Sequence, residues 1–206
     1  MASELNECKS RFYNEMEKSF YLLKEVNTIT PPLNSDIINS MYELSFLQMY
    51  RAWEFFLEKT FVLYMLGKET DKGYRPICYV NPPNEEHAYE LIKGGARYPS
   101  WLNIEFIREK AELFFKDGSP FKEILYDKVN IKDALTQMTK LRNAIVHISK
   151  KALDDYESVV RKEIGSSLNL SVGEFLSRMK KEGGREVSYI SYYRKILEVS
   201  SDEIIK

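Results

Sequence analysis

Three side chains late in one segment, Arg142, Asn143 and His147 in Leu141-Arg142-Asn143-Ala144-Ile145-Val146-His147, are of types that do chemistry together. On a helix, Arg142 and His147 lie about 140° apart around the axis and about 7.5 Å along it. They do not stack, but a long guanidinium stem reaches round to the imidazole. Asn143 and His147 are four apart and do stack, so the spacing predicts that the amide lies one turn below the ring and fixes its tautomer. Such a trio needs no metal to cut RNA by transesterification. A neutral imidazole takes the proton from a ribose 2′-OH. An arginine fork holds the scissile phosphate and the charge that builds on it. With one such histidine per chain, a base and an acid meet in one cleft only when two copies pair about a two-fold axis. The same residues also read as a capping or partly buried histidine beside an ordinary surface arginine.

Other candidates surround the trio. Arg51 and Glu54 either line the same cleft and orient Arg142, or form a surface pair one turn apart. Lys140, Lys150 and Lys151, followed by Arg161 and Lys162, either engage RNA phosphates or belong to the mixed-charge face completed by Asp154, Asp155 and Glu157. Tyr189, Tyr192 and Tyr193 either stack on bases or pack the last helix onto the core. His87, in Glu85-Glu86-His87, reads as a solvated residue at an acidic helix start. A Gly-rich phosphate loop, a paired-Asp metal motif, a nucleophile elbow and a Cys-x-x-Cys are all missing from the sequence, which argues against a kinase, an ATPase, a metallonuclease or a serine hydrolase. No cofactor is expected. Two histidines per chain build no His-rich metal centre, and Cys8 and Cys78 fit neither a zinc spacing nor a disulfide framework, as suits a reducing cytosol.

The elements that must position these residues read as helices. A first helix over about 3–26 carries Leu5, Phe12, Met16, Phe20 and Leu23 as a stripe, and Thr30-Pro31-Pro32 turns the chain. Asn34-Ser35-Asp36 caps a long second helix that ends at Met65 or Leu66, before Gly67. Residues 67–84 read as a loop with an extended piece at Ile77–Val80. Further helices are expected over Glu85–Lys93, over Trp101–Lys116 with Ser100 as its cap, and over Pro120–Tyr126. The segment from Ile131 to about Ile148 has the three-four rhythm of an amphipathic helix in Leu135, Met138, Leu141 and Ile145. Lys151–Ile164, Val172–Lys181 and Tyr189–Ile205 complete the set, the last two separated by Gly183-Gly184. No strand is expected.

The class is therefore all-α, and the whole of 1–206 reads as one domain. It comprises an N-terminal helix (1–30), a core bundle (34–164) and a C-terminal helical extension (165–206). An apolar fraction of 44% and a charged fraction of 30% are those of an ordinary globular chain. A formal net charge of −1 does not advertise a nucleic-acid or membrane partner, though a local basic patch is compatible with it. The polar start MASELNECKS is no signal peptide, and Phe55–Leu66 is too short to span a bilayer. A cytoplasmic protein without a membrane partner is expected.

Arg142-Asn143-x-x-x-His147, late on a helix of an all-α chain, resembles the Arg-x(4–6)-His signature of the HEPN superfamily. Arg51-Ala52-Trp53-Glu54-Phe55-Phe56-Leu57-Glu58 is similar to the second-helix pattern of those domains. Ser171-Val172-Gly173-Glu174-Phe175-Leu176 is similar to the stand-alone branch related to the RiboL-PSP and MAE-type groups. The likeness covers roughly residues 35–200. It implies a HEPN-like helical bundle with additional C-terminal helices, paired as a homodimer with two Arg–His motifs facing one cleft. It implies a metal-independent endoribonuclease, of the kind found in toxin–antitoxin and antiphage defence systems, with Arg142 and His147 as the catalytic pair and Asn143 as the polar residue after the arginine. Its partners would be RNA and an antitoxin or regulatory protein. The alternative is a non-catalytic module of the same kind that binds a partner protein or a nucleotide. One toxin branch has a tyrosine two residues after the histidine, which its partner nucleotidyltransferase modifies; here Ser149 stands in that place.

Overall fold

Apolar residues three and four apart bury one stripe of each helix, and the computed structural model places them so over residues 2–26, 34–147, 149–165 and 169–206. Helices α1 (Glu4–Val26), α2 (Ser35–Met65), α3 (Glu85–Lys93), α4 (Ile104–Phe114), α5 (Val129–Val146), α6 (Lys150–Ile164), α7 (Val172–Ser177) and α8 (Tyr189–Ile204) dominate. The expected all-α class holds. The turn at Thr30-Pro31-Pro32, the serine-rich turn after Gly165 and the helix end at Ile148 lie outside the described residues.

End chemistry explains most boundaries. Asn34 Oδ1 accepts from the Asp36 N–H at 2.9 Å, and Gly67, at φ +72°, ends the turn after α2. The cap of α4 is Asn103 rather than Ser100. Its Oδ1 accepts from the N–H groups of Glu105 and Phe106, so that helix starts three residues later than expected. The extended piece at Ile77–Val80 pairs Cys78 with Phe115.

The expectation of no strand fails. Two antiparallel strands, β1 (Met179–Glu182) and β2 (Arg185–Ser188), stand where the end of a helix and its connection were expected. Ser171 caps α7 reciprocally with Glu174, but Arg178 is already extended and stops the helix after two turns. Gly183 and Gly184 both have positive φ, 54° and 81°, the backbone of a two-residue hairpin loop whose twist matches that of the strands. The Glu182–Arg185 pair closes that loop.

The chain forms two compact units. Unit 1 takes residues 1–13, 53–135 and 197–206. At its centre Phe61 packs on Phe115, Phe121 and Trp101, with ring centroids 4.7–5.4 Å apart. Unit 2 takes residues 14–52 and 136–196. There Phe175 stacks on Tyr189 at 4.3 Å, and Phe46 meets Tyr193 edge-on. Among the described residues no helix is long and apolar enough to cross a membrane.

Candidate active site

Arg142 and Asn143 lie at the C-terminal end of α5, in the part that belongs to unit 2, and His147 follows directly. Met138 and Leu141, fully buried, hold that part of the helix from within. Hydrogen bonds hold it from the sides. Tyr50 Oη and Thr139 Oγ1 are 2.7 Å apart. Tyr193 Oη donates to Gln137 Oε1 at 2.8 Å, and Gln137 Nε2 donates to Glu163 Oε1 at 2.8 Å. Lys180 of β1 closes the chain of contacts on the other oxygen of Glu163 at 2.5 Å. Burial pushes the Tyr193 phenol well above its usual range, so it stays a donor. Sequence reasoning missed this support. Its only visible signal was polar Gln137 between the apolar residues of a helical stripe.

On this anchored segment Arg142 and Asn143 are half-buried and His147 is exposed, the first residue past α5. The guanidinium curls round as the spacing requires. Arg142 Nη1 lies 3.1 Å from His147 Nε2 and donates to Asn143 Oδ1 at 3.1 Å. The two hydrogens of one nitrogen thus serve the two partners, leaving three of the five guanidinium N–H donors for a ligand. Asn143 therefore orients the arginine and not, as the spacing predicted, the imidazole ring. A cation is the stronger partner for an amide oxygen, and the stem of Arg142 reaches that oxygen first.

Because an arginine only donates, His147 Nε2 is the acceptor in this contact, which fits the tautomer with its proton on Nδ1. The His147 N–H still bonds the Asn143 carbonyl at 2.8 Å, in the last turn of the helix. Two residues later Ser149 caps α6, its Oγ accepting from the Ala152 N–H at 3.2 Å. That cap fixes how close behind His147 the next helix starts. A serine before a periodic segment was the signal for it.

The candidate binding residues divide. Lys150 and Lys151 are exposed in the first turn of α6, three and four positions beyond His147. Lys140 is tied to α6, donating to Ser158 Oγ at 3.0 Å. Arg51 is exposed on α2 in unit 2, whereas Glu54 belongs to unit 1. The side-chain hydrogen bonds of Arg142 go to Asn143 and His147. Tyr189 and Tyr193 are buried in the packing of α8 and present no face to a base. His87 is exposed, and its N–H donates to the Asn84 cap of α3.

Clefts elsewhere do not include the trio. One of about 270 Å³ is lined by Phe55, Val62 and Tyr89, and one of about 320 Å³ by Met65, Arg75 and Cys78, all in unit 1. Among the described residues no group of three or more His, Cys, Asp or Glu is placed to hold a metal ion. Comparison with protein-family models, with curated proteins and with solved structures gives no match.

Proposed function

We propose that this chain is a metal-independent endoribonuclease of HEPN type that works as a homodimer. The observation that carries the reading is the 3.1 Å contact between Arg142 Nη1 and the lone-pair nitrogen of His147. It supports the reading because an imidazole nitrogen and a guanidinium so close together can serve one phosphodiester as base and phosphate-binding fork. His147 Nε2 takes the proton of a ribose 2′-OH, and that oxygen attacks the adjacent phosphorus. The free N–H groups of Arg142 hold the non-bridging oxygens as negative charge builds on them, the task a metal performs elsewhere. The departing 5′-oxygen takes its proton from His147 of the second copy, which serves as the acid in its imidazolium form and ends neutral. A 2′,3′-cyclic phosphate is left on one fragment.

Two features support pairing at this place. His147 is exposed, and two large apolar side chains near it in sequence, Val146 and Leu153, are 45% and 48% exposed. Lys150 and Lys151 supply positive charge for flanking phosphates. Lethality to the host cell, held in check by a protein partner, follows if the RNA target is an essential one.

The test is incubation with total RNA in excess EDTA, followed by analysis of fragment ends. Cyclic 2′,3′-phosphate or 3′-phosphate ends, lost in His147→Ala, are the expected result. A requirement for magnesium with 5′-phosphate products sinks the reading.

A further inference from the structure

The contact that unites the site also closes it. While Arg142 Nη1 donates to His147 Nε2, the lone pair that must take a proton is occupied. A base in that state cannot act until the guanidinium leaves. The geometry points to an anion-released base: a phosphate oxygen that captures Arg142 detaches it from His147 and thereby unmasks Nε2. This inference rests on the reading of His147 as the base, but its physical content is a hydrogen-bond exchange that takes place without RNA.

Three observations support the exchange. First, the bond is the weaker of the options open to the arginine. A neutral imidazole nitrogen competes poorly with a charged phosphate oxygen for a guanidinium N–H. Second, the site is open, with His147 exposed and three N–H donors of Arg142 uncommitted, so an anion can engage the fork before the internal bond breaks. Third, Asn143 Oδ1 stays as a tether at 3.1 Å, so the guanidinium swings about that amide and is not lost to solvent. The exchange also removes an obstacle to catalysis. Once Nε2 has taken the 2′-OH proton, the imidazolium would face a guanidinium N–H with no acceptor between them. An arginine already drawn to the phosphate avoids that clash.

The ring tautomer reports the state directly. An unrestrained neutral histidine favours the proton on Nε2, whereas the contact seen here requires it on Nδ1. The experiment is a long-range proton–nitrogen correlation spectrum of the ¹⁵N-labelled protein at about pH 8, above the ordinary imidazole range. His87→Gln assigns the two histidines. In the free protein His147 should show Nδ1 protonated and Nε2 bare. Inorganic phosphate should shift it out of that state, and sodium chloride at equal ionic strength should shift it far less. Arg142→Gln should lack the state from the start and respond little to phosphate. A free protein with the proton on Nε2 overturns the inference. So does a ring indifferent to phosphate, an arm that needs no substitution and no folding assumption. Failure of the ribonuclease reading is separate: the spectra then change as described while RNA stays intact in EDTA.

Discussion

His147 is exposed, and its side chain packs into neither core, so His147→Ala should leave the fold alone. The expected result is a melting temperature within a few degrees of wild type and a loss of about 10²–10⁴ in RNA cleavage, the usual contribution of a general base. Calorimetry and a fragment assay on the same preparation check both halves. Unfolding with nuclease activity intact in the remaining folded fraction makes the residue structural instead. Arg142→Lys keeps the charge but loses the planar fork, and with it the two-point hold on a phosphate. Cleavage should fall sharply with circular dichroism unchanged. The meeting of Arg142 and His147 was legible in the sequence, because five residues of helix bring a long stem within reach of the ring. The partner of Asn143 was not. Stacking one turn apart puts the amide near two groups, and only the rotamer of Arg142 decides which one it serves.

Among the elements, the helices with strong caps were legible and the hairpin was not. Met179–Ser188 is polar on both faces, so no alternation betrays it, and the helical rhythm of Val172–Leu176 runs straight into it. Gly183-Gly184 was read as a break between helices, although two glycines between short runs also form the tightest hairpin loop. The α7 turn before the hairpin offers two tests. Gly173 lies against α2, where an added Cβ would sit 2.2 Å from the Asn39 carbonyl oxygen, a backbone atom that cannot swing aside. Gly173→Ala should therefore cost about 1–3 kcal/mol or more, read as a lower urea midpoint. At the cap, the Glu174 carboxylate accepts from the Ser171 N–H at 2.7 Å, and this bond holds its pKa below the usual carboxylate range. A carboxyl depressed in the folded state adds stability above its unfolded pKa and loses it as pH falls through the folded value. Melting curves of wild type and Glu174→Gln should thus differ at neutral pH and converge in acid. Curves that stay parallel at every pH would show that the cap charge is irrelevant to stability.

For the whole molecule, the proposed mechanism requires two copies. Light scattering at micromolar concentration should give a dimer, and Val146→Glu together with Leu153→Glu should give a folded monomer without cleavage. A wild-type protein that is monomeric at that concentration would remove the second histidine from the mechanism. Both units draw on segments distant in sequence, and residues 197–206 complete unit 1. Leu197, Ile204 and Ile205 are buried there, and Tyr64 Oη donates to the Ile204 carbonyl at 2.6 Å. Three such side chains at about 1.5–3 kcal/mol each are of the order of a small domain's entire stability. Deleting 197–206 should accordingly abolish the cooperative melting of unit 1. This segmental order also sets a schedule during synthesis. Unit 2 needs residues up to 196 and unit 1 needs residues beyond them, so α5 leaves the ribosome before either unit has its last helix. A lone helix of that length is marginal in water. A chain in mid-translation therefore carries Arg142 and His147 on a helix that lacks its final frame, and on the proposed reading the message being read is spared until α8 has been made.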